Sequence, residues 1–358
     1  MYNIHVLPAS YGDSILIEYG DSTSKYILID GGPFDNFEDL VAGLKRVAPK
    51  LKALELLVLT HIDIDHLDGI VTLLNRQKLP FKIKEVWFNG YDQIEKLGDV
   101  LGALQGEYIS TLIKNKRLVH NKSFKGNAIY IEDYNKLPVI KIGTTGMSLT
   151  LLSPGKIALE KLHATWKSQI EKYGDDPNFA KMLGNDKRYV SDDDILGTTI
   201  EYLQNVKVSG DNSVPNGSTI AFLATYKNKT CLFAGDATSD YLLKAIDPLL
   251  IKNGKRRLKI DAWKIGHHGS KRSTLEKLMS KIECKKILVS SNGKKFKHPD
   301  QETVAKLLKN NGPNLQFYFN YKTEFNKKWS DTSLQTKYKF KSFYPKRENE
   351  PGITIKLK

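Results

Sequence analysis

Two imidazoles and two carboxylates occupy six positions in the segment Thr60-His61-Ile62-Asp63-Ile64-Asp65-His66-Leu67-Asp68-Gly69, directly after the apolar run Leu54 to Leu59. A strand ending at Thr60 releases the chain into a tight turn. A helix opening near Asp65 then lets His61, Asp63, Asp65 and His66 converge on one small volume. Side chains of these types at that density suit one or two divalent cations. The plain alternative is an exposed polar turn whose aspartates cap a helix. Two later segments argue against it by repeating the pattern of an apolar run that ends on ligand-type residues. Thr230 to Asp236 ends a strand on a carboxylate, and Leu258 to Ile265 runs into Gly266-His267-His268-Gly269-Ser270.

Together, the H-x-D-x-D-H turn, the strand ending in Gly235-Asp236 and the strand ending in the Gly-His-His-Gly-Ser motif resemble the metallo-β-lactamase superfamily. Within it they most resemble the nuclease-like domain of ComEC-type competence proteins and their stand-alone relatives. The similarity extends to Tyr26-Ile27-Leu28-Ile29-Asp30-Gly31-Gly32, to Asn216-Gly217-Ser218, and to Asn292 with Phe296-Lys297-His298-Pro299. The fold it implies is α/β, a four-layer αβ/βα sandwich with an inserted segment. There is one departure. Superfamily members usually carry H-x-H-x-D-H and a further His on a middle strand, whereas Asp63 stands at the second His position here. His5 reads as a strand side chain, His120 as part of a basic surface and His163 as part of an insertion, so the middle-strand position is unfilled.

On this resemblance, His61 and Asp63 serve one metal, Asp65, His66 and His267 serve the other, and Asp236 bridges them. The implied cofactors are two divalent ions, zinc or manganese. The extra oxygen donor at Asp63 favours harder ions such as Mn²⁺ while permitting Zn²⁺. The catalytic candidates are then Asp65 and Asp236 with Asp30 supporting the ligands, and His298 and His268 contacting phosphate or protonating a leaving oxygen. A helix beginning at Gly269-Ser270 would offer free N–H groups to an anion, beside Lys271 and Arg272.

Charge narrows the substrate class. The 358 residues carry a formal net charge of +15, unevenly placed. Lys252, Lys255, Arg256, Arg257 and Lys259 precede the His-His segment, Lys271 and Arg272 follow it, and Lys294, Lys295 and Lys297 surround His298. If these rim the metal site, they suit a polyanion such as nucleic acid. The alternative is a solvated surface. No window reaches the ~18 uninterrupted apolar residues of a membrane span, and nothing resembles a signal peptide. Cys231 and Cys284 stand alone in apolar strands as reduced thiols, so a cytoplasmic location is expected.

The chain reads as a single domain over 1–358. Strands are expected at 2–7, 14–19 and 25–30, and helices over Phe37 to Val47 and through Asn75. A strand at Lys84 to Asn89 and a long helix from Gln93 to Lys116 should follow, then strands at Ile129 to Glu132, Ile140 to Ile142 and Ser148 to Ser153. Residues 156–198 interrupt the pattern as an insertion, helical from Ile157 to Tyr173 and polar beyond. Its Asp192 to Asp194 reads as an acidic loop or cap. Aromatics alternating with lysines in 315–358 read as strands, with base stacking as the other possibility.

The functional expectation is a metal-dependent nuclease acting on DNA or RNA, with water activated between two ions as the nucleophile. The alternatives are a hydrolase of a small phosphodiester (a cyclic nucleotide or a phosphorylcholine ester), a thiolester or lactam hydrolase, and a catalytically weak nucleic-acid-binding component of a larger assembly. Partner proteins in a DNA-processing or defence system fit the resemblance, and the sequence does not specify an oligomeric state.

Overall fold

Alternation at period two decides how the first sheet is buried. In the strand Ile15–Tyr19, Ile15, Ile17 and Tyr19 face one apolar core while Leu16 faces another. In Lys25–Ile29, Ile27 and Ile29 face the first core and Leu28 the second. A sheet with two apolar faces must be covered on both sides. The computed structural model describes residues 1–95, 108–173 and 199–357.

The first sheet runs, in spatial order, Ile353–Lys356, Tyr2–Val6, Ile15–Tyr19, Lys25–Ile29, Leu56–Val58 and Val86–Trp87. The second runs Phe340–Phe343, Leu315–Phe319, Lys286–Val289, Ala262–Lys264, Lys229–Phe233, Ala221–Tyr226, Met147–Ser153 and Val139–Ile142. Ile4, Ile17, Val58 and Trp87 share one core with Leu149, Phe222, Phe233 and Trp263. On the other face of the first sheet, Leu16, Leu28 and Leu57 meet Leu40 and Leu44 of helix Phe37–Val47 and Ile70, Leu73 and Leu74 of helix Ile64–Asn75. Helix Ser239–Lys252 lays Leu242, Ala245 and Ile246 on the second sheet. The result is the expected order of helix, sheet, sheet and helix.

Lys25–Ile29, Leu56–Val58 and Val86–Trp87 are parallel, as are Lys229–Phe233, Ala262–Lys264 and Lys286–Val289. Their carboxyl ends therefore lie together, and ligand sites of α/β sheets form there.

Several elements differ from expectation. The long helix from Gln93 is two described pieces, Tyr91–Glu95 and Tyr108–Asn115. Ile129 to Glu132 makes a single bridge, Ile131 to Gly155, rather than a strand. Near the C-terminus, Thr332–Tyr338 is helical because the Asp331 carboxylate accepts from the Ser333 and Leu334 amides, which outweighs the aromatic–basic alternation. The expected helix in the insertion forms as Lys156–Tyr173. Asp192 to Asp194 lie outside the described residues. No helix among the described residues is long and apolar enough to cross a membrane.

Candidate metal centre

Asp30 is the floor of the site. It follows Lys25–Ile29 in the left-handed backbone region, with φ 56°, uncommon for a side chain bearing a Cβ. Helix Ile64–Asn75 presses close against this turn, since a Cβ on Gly69 would lie 2.0 Å from the Gly31 carbonyl oxygen. Only glycine permits that approach. Asp30 Oδ2 accepts from His66 Nδ1 at 2.8 Å and from Thr60 Oγ1 at 2.7 Å, and Oδ1 accepts from the Thr60 amide at 2.8 Å. With its own proton given to Asp30, Thr60 Oγ1 accepts from His61 Nδ1 at 3.0 Å. One carboxylate thereby fixes two imidazoles, directly and through a hydroxyl.

The third and fourth imidazoles are set from the second sheet. His267 and His268 are consecutive left-handed residues, φ 46° and 52°, a costly arrangement that concentrates at functional sites. His268 Nδ1 lies 3.0 Å from the Ser290 carbonyl and 3.2 Å from Asp13 Oδ1. His267 Nδ1 lies 3.2 Å from Ser273 Oγ, 3.2 Å from Asn216 Nδ2 and 3.5 Å from Asp211 Oδ2.

With the Nδ1 atoms anchored, the Nε2 atoms turn inward on Asp236. His66 Nε2 is 3.4 Å from Asp236 Oδ1. His61, His267 and His268 Nε2 are 3.9, 3.7 and 3.8 Å from Oδ2. Asp63 Oδ2 is 3.4 Å from His61 Nε2, and Asp65 Oδ2 is 3.2 Å from His268 Nε2. Most of these separations exceed a hydrogen bond. They match two donors on one tetrahedral ion, ~3.4 Å apart for ligand bonds of ~2.1 Å. His61 Nε2, His66 Nε2, His268 Nε2 and Asp236 Oδ1 are buried with no hydrogen-bond partner. Orphaned buried donors and acceptors are costly, so this set fits divalent cations. Donor atoms of Asp13, His66, Asp236 and His268 all lie within 4.8 Å of one another.

The structure gathers His61, Asp63, Asp65, His66, Asp236, His267 and His268, with Asp30 beneath. It differs from expectation in detail. His268, rather than His267, meets Asp65 and lies fully buried. His267 stands on the side of Asp211 and Asn216. His298 packs beside it, ring centroids 5.6 Å apart. No helix begins at Ser270, since the next one is Glu276–Lys281. The backbone there already holds an internal carboxylate, the Lys271 amide donating to Asp300 Oδ2 at 2.7 Å. Lys271 Nζ pairs with Glu302 at 3.0 Å, and Arg272 donates to the Gly210 carbonyl at 3.3 Å.

Arg256 and Arg257 lie before Ala262–Lys264, at the opposite end of the strand from His267. Arg257 donates to the carbonyls of Met279, Ile282 and Asn310 and to Asn311 Oδ1. Lys294 and Lys295, by contrast, are exposed on the loop that carries His298. His5 holds Glu18 and Thr354, and His120 meets the Phe88 carbonyl, so neither supplies a middle-strand ligand.

Sequence reasoning missed Asp13, Lys264, Thr60 and Asp211. Asp13 Oδ2 pairs with Lys264 Nζ at 2.5 Å, and both are buried. A signal was present at Gly12, whose Cβ would fall 1.8 Å from the Asp65 carbonyl oxygen. That close approach of the first hairpin to the ligand turn requires glycine.

Electrostatics follow from crowding carboxylates around imidazoles. Burial lowers the pKa of His268, but Asp236, Asp13 and Asp65 outweigh it and push it up to about 9 from an ordinary 6.5. Burial also disfavours charge on His66, yet Asp236 and Asp30 hold it well above the usual value. Conversely, burial raises the Asp65 pKa, but His268 and His66 bring it down to about 2. Without metal, protons thus occupy the place of cations. A raised His pKa contributes stability that is complete below about pH 6.5 and lost as pH rises through about 9. Chelated protein should therefore lose a few degrees of melting temperature, of the order expected for ~1–3 kcal/mol, across that window. Metal-loaded protein should not, because the ions replace the protons. Parallel pH profiles for the two forms would count against the assignment.

The order of layers is that of the metallo-β-lactamase sandwich fold, and the histidines and aspartates lie at the carboxyl ends of its strands. Residues 7–88 match the model of the metallo-β-lactamase superfamily. No curated protein matches. Among solved structures the chain is similar to a diphosphatase from the PhnP family, with 10% identity, TM-score 0.39 and coverage of 100% of this chain and 98% of that one. It is similar to CmlA, a diiron β-hydroxylase from Streptomyces venezuelae, with 12% identity, TM-score 0.39 and 99% of this chain covered. The match spans about half of CmlA, 54%. A long form RNase Z from yeast matches at 10% identity and TM-score 0.34, over 80% of this chain and 36% of that one.

Proposed function

We propose that this protein is a metal-dependent phosphodiester hydrolase acting on nucleic acid. The observation that carries this reading is the convergence of unpartnered His61, His66 and His268 Nε2 atoms on Asp236, beside a loop that exposes Lys294 and Lys295. The ComEC-type resemblance of the motifs supports the same substrate class. A pair of divalent ions bound there would polarise a phosphoryl oxygen and bring the pKa of water toward neutrality.

In this reading Asp65, His66, His268 and Asp236 would hold one ion, and His61, Asp63, His267 and Asp236 would hold the other. Asp30 keeps His66 in the tautomer that points Nε2 inward and reaches His61 through Thr60. Asp211 and Ser273 do the same for His267. Burial lowers the His298 pKa more than Asp300 raises it, so a neutral imidazole meets the leaving oxygen and offers a hydrogen bond. Lys294 and Lys295 pair with flanking phosphates, whereas Lys255 and Arg256, at the far end of the strands, do not.

Incubation with single-stranded DNA, duplex DNA, RNA and a chromogenic phosphodiester in Mn²⁺ or Zn²⁺ tests the activity. Cleavage of nucleic acid is expected, and cleavage of the chromogenic compound alone would indicate a small substrate. Binding without cleavage under either metal would indicate a binding component. Replacing Lys294 and Lys295 with Glu should reduce the salt slope of single-strand binding by about 1.4, at ~0.7 per lost phosphate contact. The same change at Lys255 and Arg256 should leave it unaltered. The opposite ranking would contradict the proposed path of the strand.

A further inference from the structure

Tyr11 and Phe296 reach one place from different sheets. Tyr11 lies in the turn between Tyr2–Val6 and Ile15–Tyr19, two residues before Asp13, and Phe296 lies two residues before His298. Their rings meet edge to face, with centroids 6.2 Å apart at 85°. Phe296 is 6.0 Å from the His298 ring, which is 5.6 Å from His267. A chain of ring contacts, through the buried His298, therefore links this pair to the metal centre. Tyr11 also feels Asp65 itself, since burial first and Asp65 second push its phenol up to about 12.

Both aromatics remain partly exposed, and the Lys295 ammonium sits 4.8 Å from the Tyr11 centroid and 5.0 Å from that of Phe296. The loops beneath are held firmly. The Asn292 amide donates to the Ser10 carbonyl at 2.8 Å, and Asn292 Nδ2 donates to Ser10 Oγ at 2.9 Å. The Lys297 amide closes the turn on the Gly293 carbonyl at 2.8 Å. Two partly exposed rings on fixed roots, sharing one exposed cation, form a stacking platform with a phosphate partner attached.

We propose that Tyr11 and Phe296 form a nucleobase subsite, in which the base next to the scissile phosphate stacks on the rings and displaces Lys295 onto that nucleotide's phosphate. The subsite rests on the phosphodiester reading above and specifies its substrate as base-bearing. It requires no sequence preference, because every base has a face to stack.

The test is fluorescence anisotropy with chelator present, comparing a labelled oligothymidylate with an abasic strand of the same length. The parent should prefer the base-bearing strand by roughly 5- to 100-fold. Phe296→Leu and Tyr11→Ala should each erode that ratio, and Phe296→Trp should keep it. Equal affinity for the two strands would overturn the subsite even if a chromogenic phosphodiester is hydrolysed. A ratio unchanged in both Phe296→Leu and Tyr11→Ala would also overturn it. Conversely, failure to hydrolyse any phosphodiester while the base preference persists would overturn the hydrolase reading and leave the subsite standing.

Discussion

Asp236→Ala is expected to lower hydrolysis of any phosphodiester by on the order of 10³-fold or more, because it removes several kcal/mol of transition-state stabilisation. Among the described residues, Asp236 is the one carboxylate within 4 Å of the Nε2 atoms of His61, His66, His267 and His268 together. Its removal breaks both halves of the ligand set at once. Burial disfavours its charge, yet His267, His66 and His268 hold its pKa well below the ordinary carboxylate range. The alanine variant therefore also leaves imidazoles without their counter-charge. Steady-state rates with Mn²⁺ on a chromogenic phosphodiester, with elemental analysis of the same samples, check this. A variant that keeps both rate and metal content would remove Asp236 from the centre.

Lys264→Met is expected to destabilise the chelated protein by about 3–5 kcal/mol, the cost of breaking a buried ion pair and leaving Asp13 with only His268 opposite it. Lys264 and Asp13 are both buried and 2.5 Å apart, Lys264 at the end of a strand of the second sheet and Asp13 in the turn of the first hairpin. Methionine roughly conserves volume, so a cavity contributes little. Adding Asp13→Leu should recover most of the loss, since replacing a buried pair with apolar groups is often nearly neutral. Denaturant titrations of the single and double variants measure both. A single variant within ~1 kcal/mol of the parent would mean that the pair is not uncompensated when broken.

What was legible in the chain is what its chemistry confines to a few consecutive residues. Apolar runs that stop on His or Asp announced the ends of Leu56–Val58, Lys229–Phe233 and the strand before His267. Period-two burial announced the first three strands. Asp13 was not legible, because its turn reaches Asp65 only through the packing of the first hairpin. The choice between His267 and His268 was not legible either. Two successive left-handed residues aim adjacent imidazoles differently, and no periodicity encodes that. Arg256 and Arg257 misled for a simpler reason. They are near His267 in sequence, but an intervening strand carries them to the other end of the sheet, where Arg257 caps carbonyls. Asp211 belongs to no run or motif, and only the placement of Asn216 and Ser273 reveals it.

Anomalous X-ray scattering at the manganese edge from crystals grown with Mn²⁺ tests most directly whether these side chains hold two ions. Two peaks are expected on either side of Asp236, one within about 2 Å of His66 and His268 Nε2 and the other within about 2 Å of His61 Nε2. A map with no peak at Asp236, or with manganese bound to surface carboxylates while those Nε2 atoms stay bare, would contradict it.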